Sequence, residues 1–163
     1  MAGVVVIGVA RRRLVAAIGA MGVLVSGLAL VPAVLADSAS VTRGDINAFA
    51  TGAGLPLDGQ AQMVRTADGK TIVTVHVAGL APNTSYGAHV HQAACRIGDA
   101  DGHYKFDPAG PAAPPNEIWP AFTTNVAGVG SGIAVADRSA GPTAVSVVIH
   151  APGGAKIACA DLD

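Results

Sequence analysis

Four histidines carry the chemistry that this sequence offers: His89, His91, His103 and His150. His89 and His91 stand at i and i+2 in Ser85–His91, a segment that reads as a short β-strand. Side chains alternate across a strand, so both imidazoles share one face while Ala88 and Val90 take the other. His150 closes the strand Val145–His150, on the face opposite Val145, Val147 and Ile149. His103 lies in a loop, beside Gly102 and shortly after Cys95. Imidazole nitrogens suit copper, zinc, iron and nickel, and a tetragonal four-nitrogen set favours Cu(II). Taken alone, a His-x-His pair can equally be a chance pair on a solvated strand. His76 illustrates that case: it sits on the outward face of Thr71–Val77 with no second histidine beside it, and reads as a surface residue.

The elements that must position these side chains read as β. In Thr71–Val77, Val73, Val75 and Val77 alternate with Thr74 and His76, the two-residue period of a strand. Asp68-Gly69 is a tight-turn signal, so Ala61–Thr66 and Thr71–Val77 form a hairpin. Gly132–Ala136 is a further short strand. The longest connection runs from Gln92 to about Ile118 and holds Pro108, Pro111, Pro114 and Pro115. Such length inside a compact domain points to function. No amphipathic helix is expected after residue 41. Short strands with regular turn signals predict a β-sandwich or Greek-key barrel.

The N-terminus reads as a targeting segment. Arg11, Arg12 and Arg13 precede an apolar run, Leu14 to Ala36, that ends in the small-residue pattern Val34-Leu35-Ala36. Cleavage there makes 1–36 an export signal peptide and 37–163 the mature domain. An uncleaved membrane anchor is the alternative, since the run is long enough to span a bilayer. Residues 37–163 carry eleven acidic and seven basic residues, a net charge of −4. No basic stripe remains for nucleic acid. In an oxidising compartment the two cysteines, Cys95 and Cys159, most simply form one bridge, the alternative being two unrelated buried thiols. A bridge closing about 65 residues contributes on the order of 4 kcal/mol. It would tie the His103 loop to the strand near Ile157 and bring His103 toward His150.

Gly87-Ala88-His89-Val90-His91 resembles the GxHVH motif of the copper–zinc superoxide dismutase family. The likeness continues through Cys95, Gly102-His103, Phe106-Asp107-Pro108 and Val147-Val148-Ile149-His150, and ends at Lys156-Ile157-Ala158-Cys159. These elements keep the family's order and cover nearly all of residues 41–163. The resemblance implies an all-β, eight-stranded Greek-key barrel or sandwich of immunoglobulin-like form. It implies copper held by His89, His91, His103 and His150, a disulfide between Cys95 and Cys159, and dismutation of superoxide by Cu(II)/Cu(I) cycling. His103, the family's bridging ligand, would also deliver a proton.

Two departures matter. From Tyr104 to Asn125 there is no histidine, and Asp107 and Glu117 are the only carboxylates, a poor zinc set. Copper without zinc is therefore expected, as in the copper-only branch. Glu117 is the candidate to orient His103, since a ligating imidazole normally donates its other nitrogen to an acceptor; a solvated loop glutamate is the alternative. The loop Ala151–Ala158 is short, which should open the copper, and Lys156 aligns with the family's guiding arginine. Lysine keeps the charge without the planar fork. Arg96 and Lys105 are lesser candidates for steering the anion. The expected function is an exported, secreted, periplasmic or envelope-associated copper-dependent superoxide dismutase. The second reading is a copper-binding or copper-buffering protein with the same fold and little turnover. Membrane contact is expected only through an uncleaved N-terminal segment. Asn83-Thr84-Ser85 is given no role, and the sequence does not fix the oligomeric state.

Overall fold

The computed structural model describes residues 38–163, so the export segment read from the sequence lies outside the described residues. Nine strands form two antiparallel sheets. They are β1 (Ser40–Asp45), β2 (Asn47–Ala48), β3 (Asp58–Arg65), β4 (Thr71–Ala78), β5 (Ser85–His91), β6 (Phe122–Thr123), β7 (Gly130–Ala136), β8 (Ser146–His150) and β9 (Lys156–Asp161). One sheet runs β1-β3-β4-β7, the other β2-β9-β8-β5-β6. β1 and β2 are a single extended run broken at Ile46, whose side chain enters the core and whose N–H donates to the Gly59 carbonyl at 2.9 Å. Counted as one bent strand shared by both sheets, they reduce nine strands to the eight expected. The chain crosses between sheets from β2 to β3, β4 to β5, β6 to β7 and β7 to β8, the Greek-key pattern. The only helical element among the described residues is a 3₁₀ turn at Ala50–Gly52.

Alternation in the sequence sets the core. Val73, Val75 and Val77 of β4, with Ala61 and Met63 of β3, face Tyr86, Ala88, Val90, Val147, Ile149 and Ala160 of the second sheet. Fully burying a valine contributes about 1.5–3 kcal/mol. The β3–β4 hairpin turns at Thr66–Lys70, where Gly69 takes φ +80°, open to glycine without strain. His76 is exposed, with Nδ1 2.8 Å from Ser131 Oγ.

The second sheet is buried on both sides at β8. Val147 and Ile149 point into the sandwich, while Val148 and Cys159 on the outer face are covered by Ala100. That cover belongs to the long connection between β5 and β6. It is laid back along β5 by backbone bonds: Val90 N–H to Ile118 O at 3.1 Å, Tyr104 N–H to Val90 O at 2.8 Å, and Gln92 N–H to Gly102 O at 3.1 Å. Buried Asn116 fixes its far half, donating to the carbonyls of Asp107 and Pro111 and accepting from Asp107 N–H. The Cys95–Cys159 disulfide joins its near half to β9.

Candidate metal centre

All four nominated histidines meet on the outer face of the second sheet, beneath this connection. The pleat of β5 buries Ala88 and Val90 in the core and turns His89 and His91 outward. The β5–β8 register sets Gly87 opposite His150 and His89 opposite Val148, so His150 is a diagonal neighbour of His89 on the same face. Gly87 keeps the space beside them open; even a Cβ there would touch His150 Cβ and the His89 ring at 3.5 Å. His103 pairs with His91 in an isolated antiparallel bridge. One ligand nitrogen from each of the four lies within 4.8 Å of every other.

Hydrogen bonds then decide which nitrogens are free. His91 Nδ1 lies 3.2 Å from the carbonyls of both Ala100 and Asp101, and His150 Nδ1 3.0 Å from the carbonyl of Gly154. A carbonyl only accepts, so both Nδ1 atoms carry the proton and both Nε2 atoms keep a lone pair. Gly154, at φ +93° in the turn after β8, aims its carbonyl where a side-chain-bearing residue would be strained. His103 Nδ1 donates to Glu117 Oε2 at 2.7 Å, and Trp119 Nε1 donates to the same oxygen at 2.7 Å. Glu117 is only 3% exposed, and its Oε1 is buried without a partner.

This arrangement fits a bound cation. His91 Nε2 and His150 Nε2 lie 3.4 Å apart, and with both protons committed to carbonyls they face each other as lone pairs. His89 Nδ1 is buried and has no hydrogen-bond partner. Burial lowers the His89 pKa to about 3, helped by the neighbouring His103, His150 and His91. Burial likewise lowers His91 to about 4, with His103 adding to the shift and the Ala100 carbonyl opposing it. His150 is lowered too, by burial first, then by His103 and Lys156 against the Gly154 carbonyl. Three of the imidazoles are thus neutral donors at pH 7. The four imidazoles, two of them buried and two half-buried, form a group that could hold a metal ion.

A cleft of about 430 Å³ reaches the histidines, lined by Ser85, Gly87, His89, His103, His150 and the turn Ala151–Gly154. No lysine, arginine or carboxylate lines it. A larger cavity of about 650 Å³ lies at Arg43, Asp45, Phe49 and Arg96 beside the disulfide, but holds none of the histidines, so volume does not locate the chemistry. Arg96 belongs to that cavity, and Lys105 Nζ donates to the Gly110 carbonyl at 3.2 Å. Lys156 Nζ donates to the carbonyls of Asp99 at 2.8 Å and Asp101 at 2.6 Å, behind His91 rather than in the cleft.

No known family profile matches the chain, and no curated protein matches it. Solved structures do. Copper–zinc superoxide dismutase from Brucella abortus superposes with a TM-score of 0.55 at 22% identity, over 76% of this chain and 100% of its own. The chain has the superoxide dismutase fold. The resemblance carried by the Gly87–His91 and Val147–His150 segments thus holds at the level of architecture. Sequence reading overlooked Trp119, the one tryptophan of the chain, whose ring centroid is 5.0 Å from that of His89 and whose N–H shares the Glu117 oxygen. Its position two residues from Glu117 was the available signal. It also overlooked the carbonyls of Ala100, Asp101 and Gly154, which no side-chain pattern announces.

Proposed function

We propose that this protein is an exported, copper-dependent superoxide dismutase that works without zinc. The observation that carries the reading is the convergence of four imidazoles, three with Nδ1 engaged by an oxygen acceptor. Copper, when bound, supplies the one-electron couple that oxidises one superoxide to oxygen and reduces a second to peroxide. His89, His91, His103 and His150 would hold it, and an all-nitrogen set suits copper.

The reduced product needs protons, and His103 is the ligand placed to supply one. It lines the cleft, and its Nδ1 proton is held by Glu117. An imidazole that takes a second proton on Nε2 becomes a cation, which a carboxylate at 2.7 Å stabilises. The same contact supports the zinc-free reading, because Glu117 occupies the His103 nitrogen that a bridged second metal would need. The disulfide accords with export, since such bridges persist in oxidising compartments. Lys156 contributes a local positive charge near His91 and His150.

One observation favours the second reading, a copper-binding or copper-buffering protein: the cleft holds no cation to draw in superoxide. The deciding measurement is dismutation by the oxidised protein loaded with copper in the absence of zinc. Fast turnover lost on copper removal supports the dismutase. Stoichiometric, tight copper without turnover supports the buffer.

A further inference from the structure

The segment that orients His91 is wound the wrong way for ordinary residues. Gly98, Asp99, Ala100 and Asp101 take φ of +53°, +51°, +66° and +52°, a left-handed turn closed by Asp101 N–H to Gly98 O at 3.1 Å. Only glycine enters this region freely, and here three residues with side chains occupy it. Ala100 is held by burial against Val148 and Cys159. The carbonyls of Asp99, Ala100 and Asp101 are shared between two donors. Lys156 Nζ bonds those of Asp99 and Asp101, and His91 Nδ1 those of Ala100 and Asp101. The Asp101 oxygen therefore accepts from both. Lys156 makes no ion pair with the Asp99 or Asp101 carboxylates; the ammonium is spent on the backbone. Its own backbone pairs with His150 across the β8–β9 bulge.

We infer that Lys156 is a positioning residue: it gathers the carbonyls of the left-handed turn Gly98–Asp101 and so aims them at His91 Nδ1, fixing the ring that presents Nε2 to the metal. This role is separate from steering an anion. A steering charge belongs where substrate passes, and Lys156 does not line the cleft. The inference deepens the copper reading and rests on it for its consequence, but the hydrogen bonds join only this chain's own atoms and can be followed without metal.

The test begins with the metal-free, oxidised protein and the His91 imidazole N–H resonance. Buried against two carbonyls, that proton should exchange slowly. In Lys156→Met, which keeps the stem and removes the donor, it should exchange at least about tenfold faster while core amides such as Val75 stay protected. Copper affinity should fall about 10–100-fold, the usual effect of losing an outer partner of a ligating histidine, with an altered Cu(II) electronic spectrum. Lys156→Arg, which can still reach both carbonyls, should restore both to within about threefold. Unchanged N–H protection and copper affinity in Lys156→Met, with only a lower and salt-insensitive rate, would overturn the inference and leave Lys156 a steering charge. If Lys156→Met does not fold, Lys156→Arg decides: retention of the slow N–H supports the role, and its loss in a folded protein ends it. Failure of the wild type to bind copper would sink the functional reading while leaving the N–H result to stand on its own.

Discussion

Glu117 concentrates two hydrogen bonds on one oxygen, from His103 and from Trp119, while buried to 97% by its 3% exposure. A buried carboxylate is costly unless paired, so this residue is fixed in place by what it holds. Glu117→Gln can keep its amide oxygen where Oε2 accepts from both His103 and Trp119, but it removes the charge and puts an NH2 at the buried, unpartnered Oε1 position. We expect copper affinity to drop about tenfold and turnover to weaken most at high pH, where proton supply limits. A copper titration with a pH–rate profile checks this; an unchanged profile and affinity would reduce Glu117 to packing. The lowered histidine pKa values make a second prediction, for the metal-free protein. His89 and His91 stay neutral in the fold down to about 3 and 4, whereas in the unfolded chain they take up protons near the ordinary value of 6.5. Below that value the unfolded state binds more protons, so stability is full above about pH 7 and falls as the pH is lowered. Urea midpoints at pH 8, 6.5 and 5 isolate this effect from carboxylate titration. A flat series would show that the rings are not desolvated as the structure places them.

The connection between β5 and β6 is the element on which the site depends, since His103, Glu117 and the carbonyls facing His91 all belong to it. Little of its path is written in hydrophobic periodicity. The β5 strand was legible because Tyr86, Ala88 and Val90 alternate with Gly87, His89 and His91, and the β3–β4 hairpin because its valines alternate around Asp68-Gly69. β3 nonetheless begins at Asp58, three residues earlier than the pattern indicated, because Gly59 pairs with Val77 without offering a side chain to read. The connection carries no such rhythm. It is held by Asn116, by backbone bonds to Val90 and Gln92, and by the disulfide, all of which act at long range. Cys95 also donates its N–H to Asp161 Oδ1 at 2.7 Å, so both ends of the bridge are anchored to β9. Replacing Cys95 and Cys159 by serine should cost on the order of 4 kcal/mol on the loop-entropy account. Because the left-handed turn at Gly98–Asp101 follows directly, copper affinity should fall as well. Denaturant midpoints and copper titrations of the oxidised wild type and the double variant measure the two losses. Lost stability with copper affinity intact would mean that the turn holds His91 without the bridge.

Charge at the scale of the whole β-domain opposes the anionic substrate proposed for the protein. Residues 37–163 carry a net charge of −4, and the cleft to the histidines is lined by serine, glycine, alanine, proline and imidazole alone. Clefts that speed the capture of anions do so with cations at their mouth, by factors of roughly 10–1,000. Here the nearest cation described at the site, Lys156, is spent on carbonyls. Association should therefore be slow for a dismutase and insensitive to salt. Ser85 offers the means to test it: it is exposed, lines the cleft, and makes only a 2.9 Å hydroxyl contact with Thr123. In Ser85→Lys the rate with superoxide should rise several-fold at low ionic strength. That gain should disappear near 1 M salt, where the screening length shrinks to about 3 Å. Copper affinity should not move, because no ligand or acceptor has been touched. A variant no faster than the wild type at low salt would show that entry of the anion does not limit turnover, and that proton delivery at His103 is the step to examine.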